Sequence, residues 1–205
     1  MQVISSKEDY FIKPCESYIY VAQLPVEVKD SIQAIQEKLS EKFGGKSFWF
    51  PKANELHITI AHIISGDGGY SEPVKSIYER VGQQGNVAFE RSIAAIKSPV
   101  ITFDTVSVFN NAIIVQGHDD GTIQQIRENF TKHFPLPEGT HTPPTIIHST
   151  IARYIAPLEL EAIQDFGRQE LFIHDTFRLK GIDLVSEEKI FLQKFNTLKH
   201  YVLES

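Results

Sequence analysis

Cysteine is nearly absent from this sequence. Cys15 stands alone among 205 residues, so neither an intrachain disulfide nor a cysteine-based zinc site can form, and a reducing, cytoplasmic setting is expected. Long apolar runs are missing as well. No stretch approaches the ~18 consecutive apolar residues of a membrane helix, and Met1 to Asp9 has no basic start followed by an apolar run, so no signal peptide is expected. Low-complexity tracts, Gly/Ser linkers and long charge runs do not occur. Net positive charge is lacking too. The balance is -6, which argues against a protein that coats duplex DNA by charge, though not against one small phosphate ligand in a locally basic cleft. The 41% hydrophobic content is too high for a disordered chain, and the length suits a single domain with a sizeable core.

The residues that are present fall into strand–helix–strand order. Ser17 to Leu24 is aromatic and β-branched and ends at Pro25. Val28, Ile32, Ile35, Leu39 and Phe43 recur at helical spacing, and Gly44-Gly45 stops that helix. Leu56 to Ile64 reads as a strand closed by Gly66-Asp67-Gly68-Gly69, a flexible turn that lacks the Lys-Ser/Thr of a phosphate loop. Glu72 to Val81 reads as a helix. Val100 to Phe109 and Ala112 to Val115 read as a hairpin. A helix over Gly121 to Phe134 carries Ile123, Ile126, Phe130 and Phe134 on one face, with Thr122 and Gln125 as a candidate capping box and Asp119-Asp120 as a helix start. Ile146 to Ile155 reads as a strand, Pro157 to Phe166 as a helix, and Phe177 to Val185 and Ile190 to Val202 as closing strands. Residues 1–16 read as a short tail or an extra edge element.

Adding 91 to a position in the first half finds its counterpart in the second. Ile32, Ile35, Leu39 and Phe43 map to Ile123, Ile126, Phe130 and Phe134, and His57, Thr59, Ile60 and Ala61 map to His148, Thr150, Ile151 and Ala152. A constant offset from helix through loop to strand implies a repeated unit. The expected architecture is α+β: one bilobal domain over 1–205, with pseudo-symmetric halves at roughly 17–98 and 99–203. Each lobe is an antiparallel sheet with helices outside, strands are exchanged between lobes, and the two face one groove.

The repeat carries His57-Ile58-Thr59-Ile60 and His148-Ser149-Thr150-Ile151. Strand side chains alternate, so each His shares a face with its Thr while the isoleucines point to the core. Chance alone gives roughly 0.1 such motif with an aliphatic residue following, so two in matching register are informative. Two imidazoles that titrate near neutrality suit base-and-acid work on a phosphodiester, and two hydroxyls suit its non-bridging oxygens.

On these motifs the chain resembles the 2H phosphoesterase superfamily, which includes 2′-5′ RNA ligase-like proteins and 2′,3′-cyclic nucleotide phosphodiesterases. The resemblance covers residues 17–203 and, outside the motifs, rests on element order. It implies that His57 and His148 are the acid–base pair and that Thr59 and Thr150 hold the phosphate, with no metal and no cofactor. The implied substrate is a nucleotide or RNA-end phosphate, handled by a monomer without membrane or duplex DNA. By the same resemblance Arg153, five residues after the second His, is a phosphate contact. His62 is its counterpart after the first. Strict alternation turns both away from the catalytic face, so either needs a bulge to reach a ligand. Tyr154 falls on the groove face by alternation, and Tyr20, with Tyr18, is a candidate to stack a base. Phe48-Trp49-Phe50 precedes the first motif by a loop, where an exposed aromatic could serve as a base platform but a lobe plug is the expected role. His141 sits in a Pro-rich loop that could approach the groove, and Cys15 has no nucleophile context. Two alternatives stand beside this reading. One is a non-catalytic nucleotide or RNA-end binder on the same fold. The other is a metal hydrolase using His57, His62 and His148, which lacks nearby carboxylate ligands.

Overall fold

The computed structural model describes residues 3, 4 and 14–204. Eleven strands are described: β1 (Val3–Ile4), β2 (Pro14–Gln23), β3 (Phe48–Trp49), β4 (His57–Ile64), β5 (Val100–Val108), β6 (Ile113–His118), β7 (Ile147–Tyr154), β8 (Leu158–Glu159), β9 (Asp175–Arg178), β10 (Gly181–Lys189) and β11 (Lys194–Val202). Four helices accompany them: α1 (Val26–Phe43), α2 (Val74–Ile93), α3 (Thr122–His133) and α4 (Leu160–Glu170). The fold is α+β. One antiparallel sheet has the order β11-β10-β2-β4, the other β3-β7-β6-β5-β9, and β1 pairs with β8 apart from both. The C-terminal β10 and β11 thus complete the sheet of the first half, and β3 from the first half joins the sheet of the second. Buried residues of both halves merge into one continuous core, including Ile32, Ile58, Ile123 and Ile151.

Several elements depart from the sequence reading for identifiable reasons. The helix expected to end at Val81 runs on to Ile93 through Gly82 and Gly85. A Cβ on Gly85 would lie 3.2 Å from the Ile63 side chain, so glycine here lets α2 lie close on β4 instead of breaking it. Thr122 is not a capping residue. Gly121 is the N-cap, and the Asp119 carboxylate accepts from Gly121 N (3.0 Å) and Ile123 N (2.8 Å). The single strand expected over Phe177 to Val185 divides at Leu179-Lys180, where the chain leaves one sheet for the other. Ile190–Leu192 is a tight turn before β11. Pro157 opens no helix, since β8 intervenes to pair with β1. Of residues 1–16, Val3–Ile4 is that small edge element and Pro14 to Glu16 belong to β2, while the remainder lie outside the described residues. Gly44 ends α1 as expected, with φ +84° and its N–H donating to Ser40 O at 2.9 Å.

The repeat has a feature that hydrophobic periodicity does not register. Along β4, Val21 pairs with Thr59 and Tyr20 with Ala61, so Ile60 is an extra residue. Along β7, Ile114 pairs with Thr150 and Ile113 with Ala152, so Ile151 is an extra residue. Both bulges fall at the same place in the repeat, and each leaves a carbonyl outside the ladder. Side chains from the opposite half satisfy them. Arg127 on α3 donates Nε–H to Ile60 O (3.2 Å), Nη2–H to Thr59 O (2.7 Å) and Nη1–H to Ile146 O (3.2 Å). Gln36 on α1 donates through Nε2 to Ile151 O (3.0 Å) and Pro51 O (3.1 Å). Positions 36 and 127 are themselves 91 apart. Each helix therefore grips the His-x-Thr strand of the other half.

A buried carbonyl that loses its donor costs about 1–3 kcal/mol. Arg127→Met is expected to lower the free energy of unfolding by about 3 kcal/mol, and Gln36→Leu by about 2 kcal/mol, in urea titrations. Losses under about 0.5 kcal/mol in both would contradict the clamp.

Candidate active site

Where β4 and β7 lie side by side, a cavity of about 460 Å³ opens, lined by His57, Thr59, His148 and Thr150 together. The burial pattern follows alternation up to each bulge: Ile58, Ile60, Ser149 and Ile151 are buried while the four polar residues are partly exposed. Past the bulge the phase inverts. His62 and Arg153 turn to the cavity and line it. Tyr154 moves the other way. It is 1% exposed, packs against Phe48 and donates its hydroxyl to Phe109 O at 2.9 Å, so it is a core residue and not a groove residue. Tyr20 is also corrected. It is 0% exposed, stacked on Phe89 at 3.7 Å between ring centroids, and donates its hydroxyl to Asn86 Oδ1 at 2.8 Å, under the sheet. Tyr18 stacks on Tyr78 and is buried, and Phe48 is a core plug. Trp49 and His141 do line the cavity.

His57 and His148 sit in low-dielectric surroundings. His57 Nδ1 lies 2.6 Å from Glu55 O; a carbonyl only accepts, so Nδ1 carries the proton and Nε2 is the nitrogen left for a ligand. Burial pulls the His57 pKa down to about 4, with the Glu55 bond opposing and His148 adding repulsion. Burial lowers His148 as well, with Arg127 and Arg153 contributing. Both imidazoles are therefore neutral at pH 7.

Arg153 and its neighbours form one end of the cavity. Trp49 pairs with Arg153 across β3 and β7, and the guanidinium carbon lies 4.0 Å from the centre of the Phe191 ring, which is 5.4 Å from that of Trp49. Phe191 and Leu192 have φ +64° and +57°, a strained conformation for non-glycine residues. Buried Glu187 holds this turn: its carboxylate accepts from Leu192 N (2.7 Å) and Ser17 Oγ (2.5 Å). The Cys15 thiol also faces Glu187, and burial beside that carboxylate raises its pKa to about 12, so it stays protonated and unreactive. Glu187 and Phe191 escaped the sequence reading because nothing local marks them. Gln36 and Arg127 did leave a signal, a polar residue inside each apolar helix stripe at the repeat offset. Among the described residues no group of three or more His, Cys, Asp or Glu is arranged to hold a metal.

No protein-family model and no curated protein matches the chain. Solved structures do. TT0787 from Thermus thermophilus aligns over 92% of this chain and 98% of its own, with TM-score 0.61 and 15% identity. Escherichia coli LigT complexed with ATP aligns over 94% and 100%, with TM-score 0.55 and 14% identity. The chain has the LigT fold. A crystal structure described as a phosphoesterase aligns over 93% and 99%, with TM-score 0.58 and 14% identity. Further LigT crystals with the same fold hold NADP+, 3′-AMP or phosphate.

In this LigT fold the depressed histidine pKa values have a thermodynamic consequence. Between about 6.5 and about 4 the unfolded chain binds protons at His57 and His62 that the folded chain does not. Stability is therefore expected to fall as pH drops through that window, and less steeply in His57→Asn. Urea unfolding at pH 7, 6 and 5 measures it. A His57 imidazole titrating near 6.5 by NMR in the ligand-free protein would contradict the burial argument.

Proposed function

We propose that the chain is a 2H phosphoesterase that opens 2′,3′-cyclic phosphates or cleaves 2′-5′ phosphodiester bonds of nucleotides or RNA ends. The observation that carries this reading is the convergence of two His/Thr pairs, one from each half of a repeat, in a single cavity of the LigT fold. The ligands in the LigT crystals, adenine nucleotides and phosphate, are consistent with a nucleotide substrate here.

In this reading the reacting phosphate sits between His57 and His148. Its negative charge raises the pKa of both imidazoles, so one takes up a proton as substrate binds and the other stays neutral. The neutral imidazole accepts a proton from water as the water oxygen bonds to phosphorus. The imidazolium gives its proton to the ribose oxygen as that P–O bond breaks. One proton enters and one leaves the pair, and reversal exchanges the roles. Thr59 and Thr150 hydroxyls donate to the non-bridging oxygens, where charge accumulates, and Arg153 adds a fixed positive charge. No step requires a metal.

With 2′,3′-cyclic AMP as substrate, His57→Ala and His148→Ala are each expected to lower kcat by ~10²- to 10⁴-fold, and Thr59→Val or Thr150→Val by ~10²-fold. EDTA is expected to change nothing. Full activity in His148→Ala would overturn the two-histidine reading, loss of activity in EDTA would point to a metal, and tight binding without turnover would identify a binding protein on this fold.

A further inference from the structure

The bulges bring one more side chain from each strand to the cavity, and the two lie at opposite ends. Arg127 touches both Ile60 O and Ile146 O, and Gln36 touches both Ile151 O and Pro51 O. The middle of β4 is therefore beside the approach to β7, and the middle of β7 beside the approach to β4. Arg153 is accordingly next to Trp49, and His62 is next to the loop that precedes β7, with its ring 5.9 Å from that of His141.

The His62 end is a built, polar wall. His141 Nε2 lies 3.3 Å from Asp67 Oδ1, and His141 N donates to Ser65 Oγ at 2.8 Å. The loops that carry these residues interlock: a Cβ on Gly68 would lie 2.6 Å from Gly139 O, and one on Gly139 would lie 2.2 Å from Gly68 O. Tyr70 Oη ties them further, accepting from Ser65 N at 3.1 Å and lying 2.8 Å from Thr140 Oγ1. Within this wall Nδ1 of His62 is buried and has no hydrogen-bond partner among the described residues.

Charge distinguishes the two ends. Arg153 is the only Lys or Arg among the described residues lining the cavity. Burial keeps His62 neutral, with a pKa of about 4; His141 adds to that shift and the Asp67 carboxylate, which lines the same end, opposes it. A second phosphate would meet that carboxylate without a fixed cation to answer it. An uncharged group with hydroxyls or ring nitrogens would instead meet an imidazole, a serine hydroxyl and a carboxylate, all suited to hydrogen bonding.

We propose that the His62–His141–Asp67 end is a nucleoside subsite, which binds an uncharged sugar or base attached to the reacting phosphate on the side away from Arg153. The favoured substrate is then a linear phosphodiester with a nucleoside on both sides, ahead of a cyclic mononucleotide. This rests on the phosphoesterase reading of the same cavity.

Initial rates on 2′-5′-linked adenylyl-adenosine and on 2′,3′-cyclic AMP, in wild type, His62→Ala and His62→Asn, test it. His62→Ala is expected to lower kcat/KM for the dinucleotide about 10-fold or more, and for the cyclic nucleotide less than about 3-fold. His62→Asn keeps a hydrogen-bonding group and recovers part of the loss. Equal losses on both substrates, or none on the dinucleotide, overturn the subsite. A wild-type protein that turns over neither refutes the phosphoesterase reading instead, and titration calorimetry then decides the subsite. Dinucleotide binding about 10-fold weaker in His62→Ala supports it; unchanged affinity, or no binding to wild type, overturns it.

Discussion

Two side chains, Gln36 and Arg127, hold this molecule's cavity in shape. A bulge turns the strand past it by one residue, but it also strands a carbonyl inside the protein, where an unpaired acceptor is costly. Each half answers the orphan carbonyl of the other, Arg127 at Ile60 and Gln36 at Ile151. The exchange does two things at once. It permits the phase inversion that brings His62 and Arg153 to the cavity, and it fixes β4 against β7 although no ladder joins them. Arg127 is 2% exposed, and the three carbonyls it reaches carry its hydrogen bonds. Its charge lies close enough to His148 to help lower that imidazole's pKa.

The same construction sets the electrostatics of the cavity. His57 and His148 are both neutral at pH 7, because burial outweighs the polar contacts around them. In the proposed reaction an anion placed between them would change that balance and couple protonation to phosphate binding. The two ends of the cavity differ because position 153 is arginine where position 62 is histidine. A symmetric scaffold thereby acquires a direction, with a cation on an aromatic shelf at one end and neutral hydrogen-bonding groups at the other. Glu187 keeps the shelf in place by holding the strained turn at Phe191 and Leu192.

Much of the fold was legible because its signals are local. Helical spacing marked α1 and α3, β-branched runs marked β4 and β7, and the offset of 91 tied them into one repeat. The two His-x-Thr pairs were legible for the same reason, as alternation alone places each His beside its Thr. Where the reading failed, a tertiary contact decided the outcome. Gly85 looks like a breaker until α2 is seen to pack on Ile63. Tyr154 and His62 exchange faces because alternation cannot register a bulge. Tyr20 looks like a stacking platform in one strand, but its sheet buries it against Phe89. Glu187 lies on β10 and Phe191 in the turn before β11, and both reach the cavity only through the exchange of strands between halves.

The claim on which the account turns is that His57 and His148 act on one phosphate as a single acid–base unit. Hydrolysis of 2′,3′-cyclic AMP by His57→Ala, His148→Ala and the double variant tests it most directly. Residues that serve one step together lose their effect together, so the double variant should be about as slow as the slower single one. A double variant slowed by the product of the two single effects would mean that the histidines act independently, and would contradict the account.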